Sequence, residues 1–328
     1  MISPVANFIS RAVVQGIPLL CGSTGEIITE KSGNLNLGIP GIMYVGAVSG
    51  VAGAFFHEKL AAGPLNPFLA VIIPLVCSLL GSLAMSLIYA FLTVTLRANQ
   101  NVTGLALTTF GIGLGNFYGG SLATLYGEGG ALSLKATSDV FRTALPFAKD
   151  LGSVGLVLFS YGWLAYAAIV IAVIATFVIK RTRIGLNLRA VGESPATADA
   201  AGINVTRYKY GATCIGGMIA GLGGLYFIMD YTSGIWSNGG FGDRGWLAIA
   251  LVIFAIWNPD IGILGSILFG GLYIIDIFIP NLTRSQQELF KMLPYIVTVI
   301  VLIFTSIRRK RETMPPQALG LSYFREER

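Results

Sequence analysis

The residues best suited to chemistry in this chain lie in one polar stretch between two apolar runs. The stretch from Glu26 to Gly41 reads EIITEKSGNLNLGIPG and carries three charges, three glycines and two asparagines. Two carboxylates and an amine this close together, at Glu26, Glu30 and Lys31, can pair with one another or face a second protein. The pattern predicts ion pairing and hydrogen bonding rather than bond cleavage.

The asparagines and glycines of the same stretch indicate an unwound segment between two helices. Asn34 and Asn36 can satisfy free backbone groups, while Gly33, Gly38 and Gly41 allow a turn and the close approach of the next helix. Irregular backbone between membrane helices is tolerated only where protein buries it or where it lines a watery cavity. A simple surface loop is the alternative interpretation.

Enzyme chemistry has no visible basis in the sequence. There is no GxxxxGK[ST] loop and no HExxH motif, and the single histidine is His57. The three cysteines, Cys21, Cys77 and Cys214, each fall in an apolar run without CxxC spacing, which is typical of small core residues. We therefore expect no cofactor or metal on this chain, and any use of ATP and Mg²⁺ would require separate ATPase subunits.

Three further polar residues lie in or beside apolar runs. Asp276, in LYIIDIFIP, is the one carboxylate well inside such a run, and an intramembrane acid is costly without a partner or water. It is predicted to line a pathway or contact Tyr273, or alternatively to lie near the outer interface. Asn116 can face a pathway or bind a neighbouring helix, and Asn99 borders the start of an apolar run.

The composition settles the class of protein that must position these residues. The chain has 328 residues, of which 54% are hydrophobic and only 12% charged, and its mean hydropathy is +0.73. Soluble domains carry about 25% charged residues, so this chain has roughly half the usual share. Its 42 glycines suit closely packed membrane helices. The sequence predicts an all-α polytopic membrane protein.

About nine transmembrane helices are predicted, because about 20 apolar residues cross the hydrocarbon core. Eight or ten remain compatible with the lengths, since the first or seventh run could be a partial crossing. The predicted spans are 8–25, 39–57, 67–95, 102–123, 156–179, 208–229, 244–257, 261–279 and 291–307.

The placement of lysine and arginine predicts the orientation. With nine spans, fourteen of these residues lie on one side, including the tail, and eight on the other, where seven acids nearly balance them. We therefore place the N-terminus outside and the C-terminus in the cytoplasm. The predicted transmembrane domain covers 1–312, with an external loop at 124–155 and a cytoplasmic tail at 313–328. The net charge of +6 requires no nucleic-acid partner, since contact with anionic lipid explains it.

The largest predicted cytoplasmic loop, 180–209, contains a short helix. Ser194 is suited to cap its N-terminus, Pro195 to its first position and Gly202 to its end. Such a helix can be a rigid handle for another protein, or an amphipathic helix without a partner. The residues alone favour neither interpretation.

This loop, GLNLRAVGESPATADAAGI, resembles the coupling loop of ABC importer permeases, in the superfamily that handles ribose, branched-chain amino acids and nucleosides. The resemblance implies a type II importer-like permease whose loop contacts the ATPase. The residues implied in that contact are Gly185, Arg189, Gly192, Glu193, Ser194, Pro195, Asp199 and Gly202.

The stretch GEIITEKSGNLNLGIPGIMYVGA is more specific and resembles the nucleoside branch, whose permeases pair with basic-membrane-lipoprotein-like binding proteins. Pro40 departs from that pattern, because the branch usually has a glutamate there. The resemblance extends from about residue 15 to 312. The matching positions are Gly25, Glu26, Glu30, Lys31, Gly33, Asn36, Leu37, Gly38 and Gly41.

These observations together predict the permease subunit of an ATP-driven importer in a bacterial plasma membrane. It would pass a small polar solute, most plausibly a nucleoside, from an external binding lipoprotein, and would pair with a second permease, as a heterodimer, and with cytoplasmic ATPase subunits. A permease for ribose or another sugar is the alternative. An ion-coupled transporter or channel is a further one, although it would call for more intramembrane acids than Asp276. The gate or pathway candidates are Glu26, Glu30, Asn34, Asn36, Asn99, Asn116 and Asp276.

Overall fold

The protein is a bundle of long helices joined by short helical and extended connections. A computed structural model describes residues 4–60, 65–125, 131–144, 148, 151–308 and 314–324. The helices are α1 Pro4–Glu30, α2 Ile39–Phe55, α3 Pro67–Ala90, α4 Gln100–Leu125, α5 Lys135–Phe141, α6 Gly152–Leu158, α7 Trp163–Arg181, α8 Arg183–Glu193, α9 Pro195–Ala200, α10 Val205–Tyr226, α11 Arg244–Phe254, α12 Pro259–Phe278, α13 Arg284–Lys291 and α14 Leu293–Arg308.

Two features interrupt the regular helices. Five-residue π-helical turns extend α2, α3 and α10, over Phe56–Leu60, Phe91–Thr95 and Phe227–Tyr231. Two short strands, β1 Ala131–Ser133 and β2 Ile235–Ser237, pair antiparallel. The strands join the regions that follow α4 and α10, so they close the end of the bundle away from α8 and α9.

Seven helical stretches in the described part of the chain are long and apolar enough to cross a membrane. They correspond to seven of the nine predicted spans. The other two predicted spans contain α4, which is 26 residues long but rich in polar residues and glycine, and α11, which has only 11 residues. The coarse prediction of a polytopic helical protein is confirmed, while the count of nine and the orientation of the termini stay predictions.

The predicted fifth span, 156–179, has the wrong start. Gly162 is extended, with φ −63° and ψ 157°, and the long helix α7 begins after it at Trp163. The residues before Gly162 form the separate short helix α6. Apolar composition runs through both helices, so it could not reveal the break.

The centre of the bundle consists of α1, α2 and α10. In their most apolar stretches 67%, 83% and 78% of the residues are buried. Small residues allow these helices to approach closely. A Cβ at Gly216 would collide with the backbone of Gly25 in α1, and a Cβ at Gly217 or Gly221 would collide with serines of α3. The glycines of α10 therefore serve helix packing, as the high glycine content of the chain indicated.

The short helix predicted in the 180–209 loop is present as α9. The Ser194 hydroxyl accepts a hydrogen bond from the Thr197 amide at 3.4 Å, and Pro195 is the first helical residue. Gly202 ends the turn with φ +83°. The sequence did not predict that α8 would form a second helix immediately before it.

The chain after α14 returns to the helices. We call residues 314–324 the C-terminal segment. The Ala318 amide donates to the Gly192 carbonyl at 3.0 Å, and the Gly320 amide donates to the Gly33 carbonyl at 3.2 Å. This described part of the predicted tail therefore packs between α8 and the turn that follows α1.

Candidate functional site

The turn between α1 and α2, residues 31–38, is buried and is the centre of the candidate site. We call it the α1–α2 segment. Ser32, Asn34 and Asn36 are each 0% exposed. The interpretation of this stretch as a simple surface loop is therefore wrong, and its polar residues need partners inside the protein.

Side chains of the stretch itself supply several of these partners. The Asn36 amide donates to Glu26 Oε1 at 2.9 Å, and the Gly38 amide donates to Asn36 Oδ1 at 2.9 Å. The Asn36 side chain thus satisfies a free backbone N–H group, as predicted. Asn34 instead donates from Nδ2 to the Thr213 hydroxyl of α10 at 3.3 Å. The segment is fixed to α1 below it and to α10 beside it.

Helices α3 and α4 hold the rest of its backbone. The Leu35 amide donates to Gln100 Oε1 at 2.7 Å, and the Leu35 carbonyl accepts from the Tyr89 hydroxyl. The Leu37 carbonyl accepts from the Thr108 hydroxyl at 2.7 Å. The segment is therefore tied to α3 and α4 as well as to α1 and α10, which makes it a rigid junction.

Glu30 has a partner that is distant along the chain. Its carboxylate accepts a hydrogen bond from the indole nitrogen of Trp257, in the turn between α11 and α12. Ile256 and Trp257 both have φ +53°, a left-handed conformation that is unusual for β-branched and bulky residues. Such strain persists only where the surrounding structure enforces it. The tight turn presents the indole to the buried acid.

Lys31 lies where α1 ends and faces α8. Burial lowers the pKa of its amine, and the nearby Glu193 carboxylate opposes that effect. A Cβ at Gly192 would collide with the Lys31 carbonyl and would lie 3.3 Å from the Gly33 amide nitrogen. The end of α8 is thus in backbone contact with the α1–α2 segment. The side chains of Glu26 and Glu30 interact with each other, as the sequence predicted, in addition to the hydrogen bonds that they accept from the Asn36 amide and the Trp257 indole.

The residues predicted to contact an ATPase divide into three groups by burial. Gly185 and Gly192 are buried, because α7 and the α1–α2 segment pack directly against them. Arg189, Glu193 and Gly202 are exposed. The half-buried residues are Ser194, Pro195 and Asp199. The exposed group leaves α8 and α9 with a surface that a second protein could contact.

The C-terminal segment connects these two parts of the site. The Tyr323 hydroxyl donates to Asp199 Oδ2 of α9 at 2.8 Å. Leu319 packs in the cluster that contains Trp257. The Leu321 carbonyl accepts weakly, at 3.5 Å, from Gln100 Nε2 and from Lys209 Nζ. The C-terminal segment therefore contacts α9, α4, α10 and the Trp257 turn.

The remaining pathway candidates lie outside this site. Asn116 Oδ1 accepts from the Tyr44 hydroxyl at 2.5 Å, so it binds a neighbouring helix. Asn99 is exposed and accepts from the Val102 amide at 3.1 Å, which caps α4 locally. Asp276 is half-buried.

The expected contact between Asp276 and Tyr273 is not the one that the structure forms. The Tyr273 hydroxyl donates to Asp243 Oδ1 at 3.1 Å. Asp243 also accepts from the Tyr295 hydroxyl at 3.1 Å, through its second oxygen. The residue that gathers hydroxyl donors at this end of the bundle is therefore Asp243, which sequence reasoning did not single out.

Several residues of the site carry no sequence signal of their own. Each is a polar or aromatic side chain that contacts Glu30, the α1–α2 segment or α9 from far along the chain. The separation between Trp257 and Glu30, for example, is 227 residues. The residues missed are Tyr89, Gln100, Thr213, Trp257 and Tyr323.

Comparison with known proteins identifies the family of this chain. Residues 8–302 match the family described as the permease component of branched-chain amino acid transport systems. The chain belongs to this family. It is a permease subunit of an ABC transporter, an integral protein of the plasma membrane that acts as a transport component rather than as an enzyme.

Three relatives are similar to this chain over nearly their full length. The chain is 30% identical to the nucleoside ABC transporter permease protein NupC of Lactococcus lactis, covering 100% of this chain and 99% of that one. It is 31% identical to the guanosine ABC transporter permease protein NupQ of Bacillus subtilis, covering 98% and 97%. It is also 30% identical to the putative glucose ABC transporter permease protein TsgC13 of Haloferax volcanii, covering 98% of each chain.

Proposed function

We propose that this permease subunit imports nucleosides, receiving them from an external binding protein and using ATP hydrolysed by separate cytoplasmic subunits. The observation that supports this substrate most directly is full-length similarity to two permeases named for nucleoside and guanosine transport. The polar stretch that resembles the nucleoside branch also forms the buried α1–α2 segment. The proposal is thus consistent with both the relatives and the site.

A sugar is the second candidate substrate, because the relative from Haloferax is named as a putative glucose permease. Pro40, the departure from the nucleoside pattern, does not favour the sugar. It is buried at the start of α2, and its ring packs against Gly245 of α11. The proline is accommodated in the packing of α2 against α11.

The same geometry supports a route for coupling. In this proposal the ATPase contacts the exposed residues of α8 and α9 on the cytoplasmic side. Movement of α8 would reach the α1–α2 segment through the backbone contact at Gly192 and through the C-terminal segment, whose Ala318 and Gly320 amides bond to both. Since the α1–α2 segment is fixed to α1, α3, α4 and α10, a displacement there would move several helices together.

A second permease subunit would complete the pathway. Exposed apolar side chains on α3, α4 and α14 leave faces for lipid or for a partner, among them Phe68, Leu105, Phe110, Phe117, Val299 and Phe304. Heterodimer formation with a related permease is our expectation. The external binding protein would dock at the opposite end of the bundle, near β1 and β2.

Uptake into vesicles tests the substrate. The vesicles would hold this chain, its paired permease and the ATPase, with the binding protein outside and ATP inside. Labelled uridine or guanosine would be supplied against unlabelled nucleosides, glucose, ribose and leucine. We expect ATP-dependent uptake that nucleosides block and the other solutes do not. Competition by glucose or ribose would establish the sugar instead, and uptake driven by an ion gradient without ATP would refute the importer.

A matched pair of variants tests the coupling route in the same vesicles. Gly192→Ala places a methyl group against the Lys31 carbonyl, whereas a Cβ at Gly211 of α10 meets nothing within 4 Å. We expect G192A to keep ATP hydrolysis but to transport several-fold fewer solutes per ATP, while G211A transports normally. Wild-type coupling in G192A would refute the route through this contact without affecting the substrate assignment.

A further inference from the structure

A polar cavity of about 420 Å³ lies beside α9 and the start of α10. It borders the proposed ATPase surface at Gly202, and the function proposed above assigns no role to its buried Lys209. Its walls come from the π-helical turn after α3, the turn from α9 into α10, and the C-terminal segment. The charged residues of the lining are Arg97, Asp199 and Lys209, and Tyr323 forms part of the wall. The cavity is open on one side and is large enough for a small anion with water.

Lys209 is the most unusual residue of this lining. It is only 3% exposed. Within the described part of the chain, its ammonium reaches one acceptor, the Leu321 carbonyl at 3.5 Å, and makes no salt bridge. A buried charge is costly unless a counter-charge and hydrogen bonds compensate it. The cavity that Lys209 lines is where such a counter-charge could enter.

A second cation stands at the mouth of the same cavity. The Arg97 guanidinium stacks on the Phe324 ring, 4.5 Å from its centroid. Stacking uses the face of the guanidinium and leaves its N–H edges available to an acceptor. Asp199, the acidic residue of the lining, already accepts from the Tyr323 hydroxyl at 2.8 Å. The lining therefore holds two cations and one carboxylate.

The N-terminus of α10 adds backbone donors. The Asn204 side chain caps the Arg207 amide at 2.9 Å. The earlier amides, of Val205 and Thr206, have no acceptor within the helix, and both residues line the cavity. The helix dipole also favours negative charge at this end of a 22-residue helix. Three sets of donors thus line one space: the Lys209 ammonium and the first amides of α10, and the Arg97 guanidinium from the turn after α3.

We propose that this cavity binds a phosphate group, held by Lys209, Arg97 and the first amides of α10. A tetrahedral phosphate has oxygens that can accept from all three directions, whereas a planar carboxylate meets fewer of them. The phosphate could belong to a soluble anion or to the head group of an acidic phospholipid, since both present the same chemistry. A ligand here would contact α10 and the C-terminal segment together, so it would stiffen their junction beside α9.

Thermal unfolding of the purified full-length chain tests the soluble source. The chain would be placed in nanodiscs of phosphatidylcholine and titrated with inorganic phosphate against sodium chloride of equal ionic strength. We expect phosphate to raise the unfolding temperature in the wild type and in R207M, a control whose exposed arginine lies two residues from Lys209 on the same helix. In K209M the response should be lost, and K209M without phosphate should be at least as stable as the wild type, because an uncompensated charge is gone.

Nanodiscs containing phosphatidylglycerol test the lipid source. If the head group fills the cavity, these discs should stabilise the wild type but not K209M, and added phosphate should have no further effect. R97Q provides a variant at an exposed position that leaves the fold intact; we expect it to bind phosphate at least tenfold more weakly. Equal phosphate binding by K209M and the wild type would overturn the proposal.

Two other outcomes would also overturn it. One is the absence of any response to phosphate or to phosphatidylglycerol. The other is a cross-link from Lys209 to a carboxylate of the ATPase in the assembled complex, combined with no phosphate binding by the chain alone. That result would assign the cations to the subunit interface. None of these readouts depends on nucleoside uptake, so the proposal can fail or succeed independently of the transport function.

Discussion

The crossing of α1 and α10 permits a quantitative test of how the site is held in place. Gly25 and Gly216 face each other where these helices meet, one residue before Glu26 and three residues after Thr213. A Cβ at Gly216 would lie closer than 3.0 Å to the Gly25 carbonyl oxygen and to the Thr29 hydroxyl, a separation that real Cβ atoms essentially never show. Gly216→Ala must therefore push the two helices apart.

The magnitude follows from comparison with a second glycine of α10. Both Gly216→Ala and Gly211→Ala should gain about 1 kcal/mol from the better helix propensity of alanine. A Cβ at Gly211 meets nothing within 4 Å, so that variant should keep the gain. Overpacking at Gly216 should cost about 1–3 kcal/mol. Because the propensity gain is common to both variants, the difference between them isolates the cost of the collision, about 1–3 kcal/mol.

Reversible unfolding in detergent or in lipid discs measures this difference. We expect G211A to be as stable as the wild type or more stable, and G216A to be less stable than G211A by the stated amount. Separation of the helices should also lengthen the 3.3 Å contact between Asn34 and Thr213, so hydrogen exchange in the α1–α2 segment should increase in G216A alone. Equal stability of the two variants would show that the crossing is not a tight contact.

Three further changes probe other contacts of the site. Trp257→Phe removes the donor to the buried Glu30 carboxylate and should destabilise the protein by about 1.5–3 kcal/mol. The indole nitrogen of Trp163 is buried without a partner in the described structure, so Trp163→Phe should cost under about 1.5 kcal/mol. Burial lowers the pKa of the Lys31 amine below its usual 10.5, so the unfolded chain binds more protons than the folded chain as the pH approaches 10.5. The free energy of unfolding should therefore rise with pH in that range. A series of melting curves at increasing pH should show that this rise is absent in Lys31→Met. Tyr323→Phe removes the hydroxyl bound to α9 and should speed hydrogen exchange in the C-terminal segment several-fold.

Each of these expectations has a contradicting result. Equal destabilisation by the two tryptophan variants would mean that ring size, not the hydrogen bond, matters at both positions. An unchanged pH dependence in Lys31→Met would assign the alkaline rise to other groups. Unaltered exchange in Tyr323→Phe would show that backbone bonds alone hold the C-terminal segment.

Local features of the sequence predicted local structure well. The cap at Ser194, the first helical position of Pro195 and the end at Gly202 all depend on residues within a few positions of each other, and all three are present. The unwound stretch after α1 was predictable for the same reason, since glycine and asparagine have intrinsic preferences there. Apolar length was a less complete guide, because it could not separate α6 from α7 or foresee that α11 would be short.

Contacts between distant parts of the chain could not be predicted from such features. The sequence marks Glu30 as a gate or pathway candidate that could pair with its neighbours, but nothing near it in sequence identifies Trp257 as its donor. The return of residues 314–324 to α8 and the α1–α2 segment was likewise invisible, because its bonds at Ala318 and Gly320 come from backbone amides that every residue type except proline supplies. The identity of a polar residue predicts that it needs a partner, whereas only the fold determines which partner it has.

The distribution of burial bears on how a coupling movement would spread. The central helices α1, α2 and α10 are 67–83% buried in their apolar stretches, while the last span, which contains α14, is only 11% buried. A close-packed interior has few alternative arrangements, so it moves as a unit rather than deforming locally. Hydrogen bonds from Asn36 to Glu26 of α1 and from Asn34 to Thr213 of α10 tie the α1–α2 segment to this interior. A displacement of α8 against the segment would therefore be passed to the central helices as a rigid body. The relative motion must then occur where packing within the subunit is sparse, which is at the outer helices and the surfaces that they present to lipid or a partner. In the proposed transport cycle, the moving surfaces therefore lie at the edge of this subunit rather than at its centre.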